Sequence, residues 1–462
     1  MLTSFLHLTA VFAQNARSPN IVLILADDLG FGELGCYGQQ VIETPRLDRM
    51  AKEGLRFKQF YAGATVCAPS RSVLMTGQHQ GHTRVRGNAG PANPLAQALR
   101  ADDVTVARML QQAGYRTAVI GKWGLGDVGA AESGLPRKQG FDEFFGYLNQ
   151  HHAHNHFPDF LWRNEQRVRL ANKVTPVGGH GGGYATEAVE YADDLFADEA
   201  LKFVAENKSR PFFLYWCMVV PHANNERTRA LKNGAEVPDF GPYAGRDWPA
   251  PDKGQAAMIT RLDGYVGRML DTLRGLGLAE NTLVIFTSDN GPHNESNHNL
   301  ARFNPSGPLT GIKRSLHDGG VRVPTIAWWP GRIAAGTESD HAAYFGDWMA
   351  TAAELAGAKM PDGCDSISFA PTLFGKPAEQ AEHEFLYWEF HEGGFKQAAI
   401  FEGRWKGIRS GGPDAPLALY DLQTDVAEKL NVAAEHPDIA AKIAAYLATA
   451  RSDSLDWPTR KE

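Results

Sequence analysis

Four continuous apolar runs, each followed by polar residues, dominate the pattern of hydrophobic positions along the chain. They cover residues 21–26, 117–120, 212–220 and 283–287. Runs of this kind, without alternation of apolar and polar positions, are typical of strands that are buried on both faces of a parallel sheet. Because helical stretches separate the runs, the sequence predicts an α/β fold with a large mixed, mostly parallel sheet sandwiched by helices.

Three amphipathic helices are predicted between these strands, at 102–112, 192–206 and 258–276. The first should end at Gly114, because glycine is favoured just after a helix. The stretch 223–254 is polar and rich in Gly and Pro, and it predicts a long loop instead.

The pattern changes after about residue 375. Short apolar segments at 385–390, 399–409 and 417–422 predict strands, and 435–451 predicts a terminal helix. This arrangement indicates a small α+β unit with an antiparallel sheet and one packed helix. We therefore predict a catalytic α/β domain at 17–375 and a C-terminal α+β subdomain at 376–462.

Residues 1–16 are weakly apolar and end in small residues, and Val11-Phe12-Ala13 fits a signal-peptidase site. We interpret this segment as a signal peptide and expect export to the periplasm or the cell exterior. The segment contains no Lys or Arg before Ala16, so an upstream start or a disordered tail stays an alternative. No later run is long enough to predict a membrane span.

Composition narrows the range of partners. The 462 residues carry a formal net charge of −7, which disfavours a nucleic-acid partner. An anionic substrate must therefore be bound by a local cationic pocket. The chain has four cysteines, and if one of them is chemically converted the remaining three do not suit a disulfide framework.

Polar residues follow all four apolar runs. They are Asp27-Asp28, Lys122, His222 and Asp289-Asn290. The carboxyl ends of strands in an open α/β sheet meet at one edge, so we expect these side chains to lie together. The Asp and Asn oxygens suit Ca²⁺, although a single Asp after a strand is as often a helix N-cap.

The segment Cys67-Ala68-Pro69-Ser70-Arg71 resembles the C-x-P-S-R maturation motif of type I sulfatases, in which the cysteine is oxidised to formylglycine. A thiol that attacked sulfur would leave a sulfated enzyme with no easy release. A hydrated aldehyde carries two hydroxyls, one to attack sulfur and one to expel sulfate by re-forming the carbonyl. Alone, such a cysteine more often marks a loop-to-helix junction. Pro69 suits the first turn of a helix ending at Gly77, which would place residue 67 at an anion-favouring N-terminus.

Two further segments resemble sulfatase motifs. Residues 121–126 resemble G-K-W-H-L-G, and residues 311–324 resemble G-x-K-x-x-x-x-E/D-G-G-x-R-V-P. Together with Pro221-His222, these motifs follow the family order over about residues 19 to 430. The chain is thus similar to formylglycine-dependent sulfatases of the arylsulfatase and N-acetylgalactosamine-sulfatase type, within the alkaline phosphatase-like superfamily.

The resemblance implies a role for each motif residue. Ca²⁺, with Mg²⁺ as the alternative, would be bound by Asp27, Asp28, Asp289, Asn290 and the formylglycine formed from Cys67. Arg71 would contact the aldehyde hydrate and the metal ligands. Lys122 and Lys313 would bind the sulfate oxygens, and His222 would donate a proton to the leaving alcohol.

Gly124 departs from the family pattern, which has a histidine there that is credited with a proton-transfer role in sulfate release. Nearby candidates to replace it are His151, His152, His154 and His156, of which we select His154. A subgroup with less base catalysis, or an impaired protein, are the alternatives. The histidines also fit a polar loop, whereas no Cys or Glu stands at a spacing familiar from zinc sites.

Residues outside these motifs are predicted to contact a sugar. Residues 82–88 recur in carbohydrate-type sulfatases, so Arg86 and Asn88, together with His151, are expected to line a sugar pocket. Residues 388–392 and 396–397 are expected to close over the substrate.

The predicted function is hydrolysis of sulfate esters, on a sulfated carbohydrate or an aryl sulfate. The partner that matures Cys67 would be a formylglycine-generating enzyme or a radical maturation enzyme. Two other functions stay open: a phosphonate monoester or phosphodiester hydrolase of the same superfamily, and a non-catalytic protein that binds sulfated glycans.

Overall fold

The structure is a computed structural model that describes residues 18–89, 93–129 and 131–459. In chain order, its strands are β1 (Asn20–Ala26), β2 (Leu55–Phe57), β3 (Phe60–Tyr61), β4 (Arg116–Lys122), β5 (Glu143–Tyr147), β6 (Phe160–Arg163), β7 (Gln166–Arg169), β8 (Lys173–Pro176), β9 (Gly183–Glu187), β10 (Phe212–Cys217), β11 (Thr282–Ser288), β12 (Thr325–Trp328), β13 (Thr337–Ser339), β14 (Ala343–Tyr344), β15 (Phe385–Phe390), β16 (Lys396–Phe401), β17 (Trp405–Ser410) and β18 (Leu417–Asp421). Its α-helices are α1 (Pro45–Glu53), α2 (Cys67–Thr76), α3 (Val106–Gln112), α4 (Gln150–Ala153), α5 (Ala192–Glu206), α6 (Asn225–Leu231), α7 (Ala250–Gly275), α8 (Leu300–Phe303), α9 (Asp318–Val321), α10 (Trp348–Ala356), α11 (Ala370–Leu373) and α12 (Pro437–Thr449).

A ten-stranded sheet forms the centre of the molecule, in the order β13-β2-β12-β11-β1-β10-β4-β5-β6-β7. The four apolar runs form its adjacent strands β11, β1, β10 and β4, which are all parallel. Every residue of β1, β10 and β11 is buried, because a hydrophobic core covers each face of the sheet. The predicted mixed, mostly parallel α/β sheet is confirmed. Its antiparallel pairs are β11–β12 and β12–β2 on one side and β5–β6 and β6–β7 on the other.

The element boundaries differ from the predictions at several places. Helix α5 spans the predicted residues 192–206, whereas α3 begins only at Val106 because the Thr105 hydroxyl accepts a hydrogen bond from the Arg108 amide at 3.1 Å. The run 212–220 is a strand only to Cys217. The stretch 223–254, predicted to be a long insertion or loop, lacks regular helix and strand mainly between α6 and α7, apart from one 3-10 turn, because α6 and the start of α7 lie within it.

The C-terminal sheet has four antiparallel strands in the order β15-β16-β17-β18, and α12 packs on it through Ile443 and Leu447. The single strand predicted at 399–409 is instead a hairpin of β16 and β17. Glu402 and Gly403 turn the chain there with φ angles of +49° and +64°. The strand and helix types predicted for this region are otherwise as expected, and the domain boundary at 375/376 stays a prediction.

Two predictions concern the termini and membranes. The predicted signal peptide at 1–16 lies outside the described residues. Within the described residues, no helix combines the length and the apolar character that a bilayer span requires.

Candidate active site

The sheet brings the polar strand ends to one place, as predicted. Asp27 and Asp28 follow β1, and Asp289 and Asn290 follow the neighbouring strand β11. The Asp28 amide donates to Asp289 Oδ1 at 3.1 Å, and Asp28 Oδ1 accepts from Asn290 Nδ2 at 2.7 Å. All four side chains are buried, so the two strand ends form one acidic cluster.

Cys67 is the first residue of α2 and lies beside this cluster. Its Sγ is 3.4 Å from Asp27 Oδ1, and the neighbouring Ala68 amide donates to Asn88 Oδ1 at 3.1 Å. Burial raises the pKa of the Cys67 thiol well above its usual value, and the charge of Asp27 raises it further. A protonated thiol is a weak nucleophile, so the unmodified cysteine is poorly suited to attack a substrate.

Two buried cations neutralise the carboxylates below Cys67. Lys122 Nζ lies 2.5 Å from Asp27 Oδ2, and Arg71 donates through Nε and Nη2 to Asp289 Oδ2 at 3.0 and 2.8 Å. Burial would raise the pKa of Asp27, but Lys122 and Arg71 outweigh it and hold the pKa below 3.8. Burial raises the pKa of Asp289 to about 7, and the negative charge of Asp27 adds to the rise.

Lys313 and His222 form a second group against Asp28. Lys313 Nζ lies 2.8 Å from Asp28 Oδ2, 3.1 Å from Glu295 Oε2 and 3.2 Å from His222 Nε2. His222 Nδ1 must donate to the Ala223 carbonyl at 2.7 Å, so its Nε2 accepts from Lys313. Burial lowers the pKa of His222 well below 6.5, and the charge of Lys313 lowers it further.

The acidic cluster fits a hard divalent cation. The ligand atoms of Asp27 and Asp28 lie within 4.8 Å of one another and of Cys67 and His222, and hydrogen bonds hold Asp289 and Asn290 against Asp28. Asn290 Oδ1 is buried with no hydrogen-bond partner in the described part of the chain. Such an oxygen is stabilised by an ion, because burying it unpaired is unfavourable. Oxygen ligands without sulfur are the set that Ca²⁺ and Mg²⁺ prefer.

A cavity of about 280 Å³ opens over Cys67. Its other walls include, from the predicted site, Asn88, His151, His154, His222 and Lys313. His154 stacks on His222 with ring centroids 5.0 Å apart, and its Nδ1 lies 3.0 Å from Glu226 Oε2. The structure therefore places His151 and His154 at the cavity, next to the residue predicted to donate the proton.

The other two histidines of this segment lie elsewhere. His152 is buried between Tyr147 and Phe160, with ring centroids 4.8 and 4.3 Å away. His156 Nε2 donates to the His222 carbonyl at 2.8 Å and so supports the backbone of that residue. Neither one lines the cavity.

Two predicted sugar contacts need correction. Arg86 is buried and does not line the cavity, because it donates to the carbonyls of Thr83 and Ser452 at 2.9 and 2.8 Å. Of residues 388–392, only Glu392 reaches the cavity, while Trp388 is buried and donates to the Ala62 carbonyl at 2.9 Å. Residues 396–397 do not line the cavity either.

Glu392 belongs to the predicted segment 388–392, whereas Arg314 and Gln150 at the cavity, and Glu226 behind His154, were missed by sequence reasoning. Glu392 accepts from Arg314 Nε at 2.9 Å, and Arg314 also pairs with Glu295, so the C-terminal subdomain supplies one wall. Gln150 lines the cavity beside Gly124. Arg314 and Gln150 are each adjacent to a predicted site residue in sequence, whereas Glu226 lies in the stretch predicted to be a loop and carried no signal.

Comparisons with known proteins agree with this geometry. The family model described as Sulfatase matches residues 19–358, and one described as N-sulphoglucosamine sulphohydrolase, C-terminal, matches residues 312–453. Arylsulfatase A of Homo sapiens is 33% identical over an alignment of 461 residues, covering 90% of this chain and 84% of that protein. An N-acetylgalactosamine-6-O-sulfatase of Bacteroides thetaiotaomicron is 29% identical, covering 95% of this chain and 94% of that protein.

A solved structure extends the similarity to the whole fold. The crystal structure of Ps i-CgsB matches with a TM-score of 0.78 and 26% identity, covering 96% of this chain and 94% of that chain. The motifs, the site geometry and these relatives agree. The chain belongs to the sulfatase family, within the alkaline phosphatase-like superfamily, and is a sulfuric ester hydrolase.

Proposed function

We propose that this sulfatase removes sulfate from a sulfated carbohydrate, with a formylglycine formed from Cys67 as its nucleophile. The observation that carries the proposal is the position of Cys67, whose Sγ lies 3.4 Å from Asp27 in the floor of a cavity that Lys313 and His222 also line. The raised pKa of the Cys67 thiol supports it, because a cysteine that stays protonated gains most from conversion to another nucleophile.

The charged residues of the cavity have distinct roles in the proposed reaction. Lys122 and Lys313 hold the sulfate oxygens and stabilise the charge that moves onto them during transfer. Arg71 fixes Asp289 through two hydrogen bonds and donates to the Lys122 carbonyl at 2.5 Å, which keeps the ligand cluster rigid. Lys122 would exchange its bond to Asp27 for one to substrate.

Proton transfer to the leaving alcohol is assigned to His222. Because His222 Nδ1 donates to the Ala223 carbonyl, Nε2 is the atom that would carry the proton to the leaving oxygen. Lys313, with Nζ 3.2 Å from Nε2, keeps its positive charge for the sulfate oxygens. His154, stacked on His222 and held by Glu226, is the proposed proton acceptor in the release step. Glu226 would stabilise the charge that His154 gains.

A divalent ion and the modified residue at position 67 complete the proposed site. Asp27, Asp28, Asp289 and Asn290 would hold Ca²⁺, with Mg²⁺ as the alternative, and the ion would supply polarisation of a sulfate oxygen. The hydrated aldehyde at position 67 would supply one hydroxyl to attack sulfur and a second to expel sulfate. A formylglycine-generating or radical maturation enzyme would produce it, and we propose that the protein is exported.

A carbohydrate substrate is supported by the size and lining of the cavity. A volume of about 280 Å³ accommodates a single sulfated sugar, and polar side chains such as Asn88, Asp127, Asn149 and His151 line it. A purely aromatic leaving group would favour apolar walls instead. The similarity to an N-acetylgalactosamine-6-O-sulfatase points the same way.

Peptide mass spectrometry of the Cys67 segment tests the nucleophile, using protein expressed together with a maturation enzyme. We expect the mass of the aldehyde or its hydrate, and turnover of one member of a panel of sulfated sugars. Cys67→Ala is the matched inactive control. Conversion of Cys67 with higher activity on a phosphodiester than on the matched sulfate would favour the phosphodiesterase alternative, and sugar binding without turnover would favour the glycan-binding alternative.

A further inference from the structure

The side-chain amide of Gln150 packs against Gly124 at the wall of the cavity. Gly124 has a φ angle of +79°, and a Cβ added to it would lie 2.3 Å from Gln150 Nε2. The backbone holds the two residues together, because the Trp123 and Gly124 amides donate to the carbonyls of Tyr147 and Leu148 at 2.9 and 3.0 Å. The amide of Gln150 therefore fills the space that a side chain at position 124 would enter.

The amide nitrogen of Gln150 has no hydrogen-bond partner among the described residues, although it is buried. The residue lines the same cavity as Cys67, His222 and Lys313. A buried N–H donor without an acceptor is unfavourable, so such groups in native proteins are usually satisfied by a ligand or by water.

The two lysines beside Cys67, Lys313 in the cavity lining and Lys122 buried below it, are already engaged with carboxylates. Lys122 is bound to Asp27, and Lys313 is bound to Asp28 and Glu295. Gln150 differs from them in having a donor that is not matched by any acceptor in the described structure. A ligand with several acceptor oxygens would supply the hydrogen-bond acceptor that Gln150 Nε2 lacks.

We propose that Gln150 is a further sulfate-binding residue, whose Nε2 donates a hydrogen bond to an oxygen of the bound sulfate group. The proposal rests on the proposed function and adds a residue to it. A neutral amide neither gains nor loses a proton over the working pH range. Gln150 therefore binds sulfate in the space that a side chain at position 124 would occupy, but it cannot transfer a proton. The proton-transfer role is left to His154.

Inorganic sulfate, the product, is the probe that tests the proposal. Its dissociation constant is measured by calorimetry on the Ca²⁺-loaded protein, for the wild type and for Gln150→Glu, Gln150→Leu and Gln150→His. Gln150→Glu keeps the shape but replaces the donor with a charged acceptor, and Gln150→Leu removes the donor. We expect binding to weaken by about tenfold or more in both variants, and to recover in part in Gln150→His.

A Gln-to-Glu substitution at the surface shows whether this change by itself affects sulfate binding. Gln111 Nε2 donates to Asp142 at 2.7 Å on the exposed surface, so Gln111→Glu makes the same change away from the cavity and should leave sulfate binding unaltered. Thermal unfolding of each variant shows whether it is folded.

The possible results separate the two proposals. Wild-type sulfate binding by the folded Gln150→Glu and Gln150→Leu variants would overturn the role of Gln150, as would a wild type that does not bind sulfate. A wild type that binds sulfate in a Gln150-dependent way but turns over no sulfate ester, with formylglycine present, would overturn the proposed function alone.

Discussion

A buried ion pair between the C-terminal sheet and α9 allows a quantitative test of what holds the site in place. Lys406, on β17 of the C-terminal sheet, lies with Nζ 2.6 Å from Asp318 Oδ1 and 3.2 Å from Glu428 Oε1. The side chains of all three residues are fully buried. Asp318 begins α9, five residues after Lys313, so the pair joins the C-terminal sheet to the segment that carries a proposed sulfate ligand.

Lys406→Met removes the charge and keeps most of the side-chain volume. Glu428 and Asp318 then lose the buried ammonium, although Asp318 keeps Arg322 with Nη1 3.4 Å away. We therefore expect a cost of about 3 kcal/mol in the free energy of unfolding, at the lower end of the range for a broken buried pair. Lys173→Met is the matched control, because Lys173 Nζ also lies 2.6 Å from a carboxylate, Glu187 Oε1, but both side chains are more than half exposed. Exposed pairs of this kind contribute about 1 kcal/mol or less.

The assay is guanidinium unfolding of the wild type and both variants, followed by tryptophan fluorescence at pH 7. We expect a large loss for Lys406→Met and almost none for Lys173→Met. Equal losses in the two variants would refute the reasoning, since the two pairs share a distance and differ in burial. We also expect activity to fall in Lys406→Met below the temperature at which the protein unfolds.

Three other predictions concern the metal, a proton-transfer partner and pH. Removal of divalent ions with EDTA should lower the thermal midpoint and abolish turnover. Added Ca²⁺ should restore the midpoint and the turnover of the wild type, and it should raise the midpoint of Asn290→Leu by less than that of the wild type. Glu226→Gln should lower kcat by about tenfold, because His154 loses the carboxylate that stabilises its protonated form. Glu165→Gln makes the same change in an exposed pair with Arg137 and should leave kcat unaltered; an unchanged kcat in Glu226→Gln would contradict the role of His154. Burial lowers the pKa of His383, but Asp347 at 2.7 Å outweighs it and raises the pKa above 6.5. The stability that this pair contributes is therefore complete below pH 6.5 and is lost as the pH rises through the raised pKa of His383. The difference in thermal midpoint between the wild type and His383→Gln should shrink from pH 6 to pH 9. A constant difference would show that the charge on His383 is not involved.

Much of the fold and the reacting residues follow from local sequence. The apolar runs are continuous because their strands are buried on both faces, which an exposed strand does not show. Their short length and their content of β-branched and aromatic residues distinguish them from buried helices. Asp27, Lys122 and Asp289 end such runs, so their convergence follows from the common edge of parallel strands. The start of α2 at Cys67 was readable too, since Pro69 and Gly77 mark the two ends of the helix.

Other features depended on contacts between distant segments. Glu226 stands beside His151 and His154 although more than 70 residues separate them, and its segment has the composition of a loop. Arg86 and Asn88 are two residues apart, yet only Asn88 reaches the cavity, because Ser452 from the end of the chain binds the Arg86 guanidinium.

The sequence by itself determined the α/β class, the polar residues at the ends of the central strands and the choice of the proposed reacting groups, because these depend on periodicity and on short motifs. Only the tertiary structure decided that Gln150 fills the space beside Gly124 and that Lys406 pairs with Asp318. It also decided that, of the predicted segment 388–392, Glu392 is the residue that reaches the cavity. Spacing along a strand or helix tells which face a side chain occupies, but not which distant segment packs against that face. The partner, and with it the pKa and the accessibility of each group, is set by the packing of the whole chain.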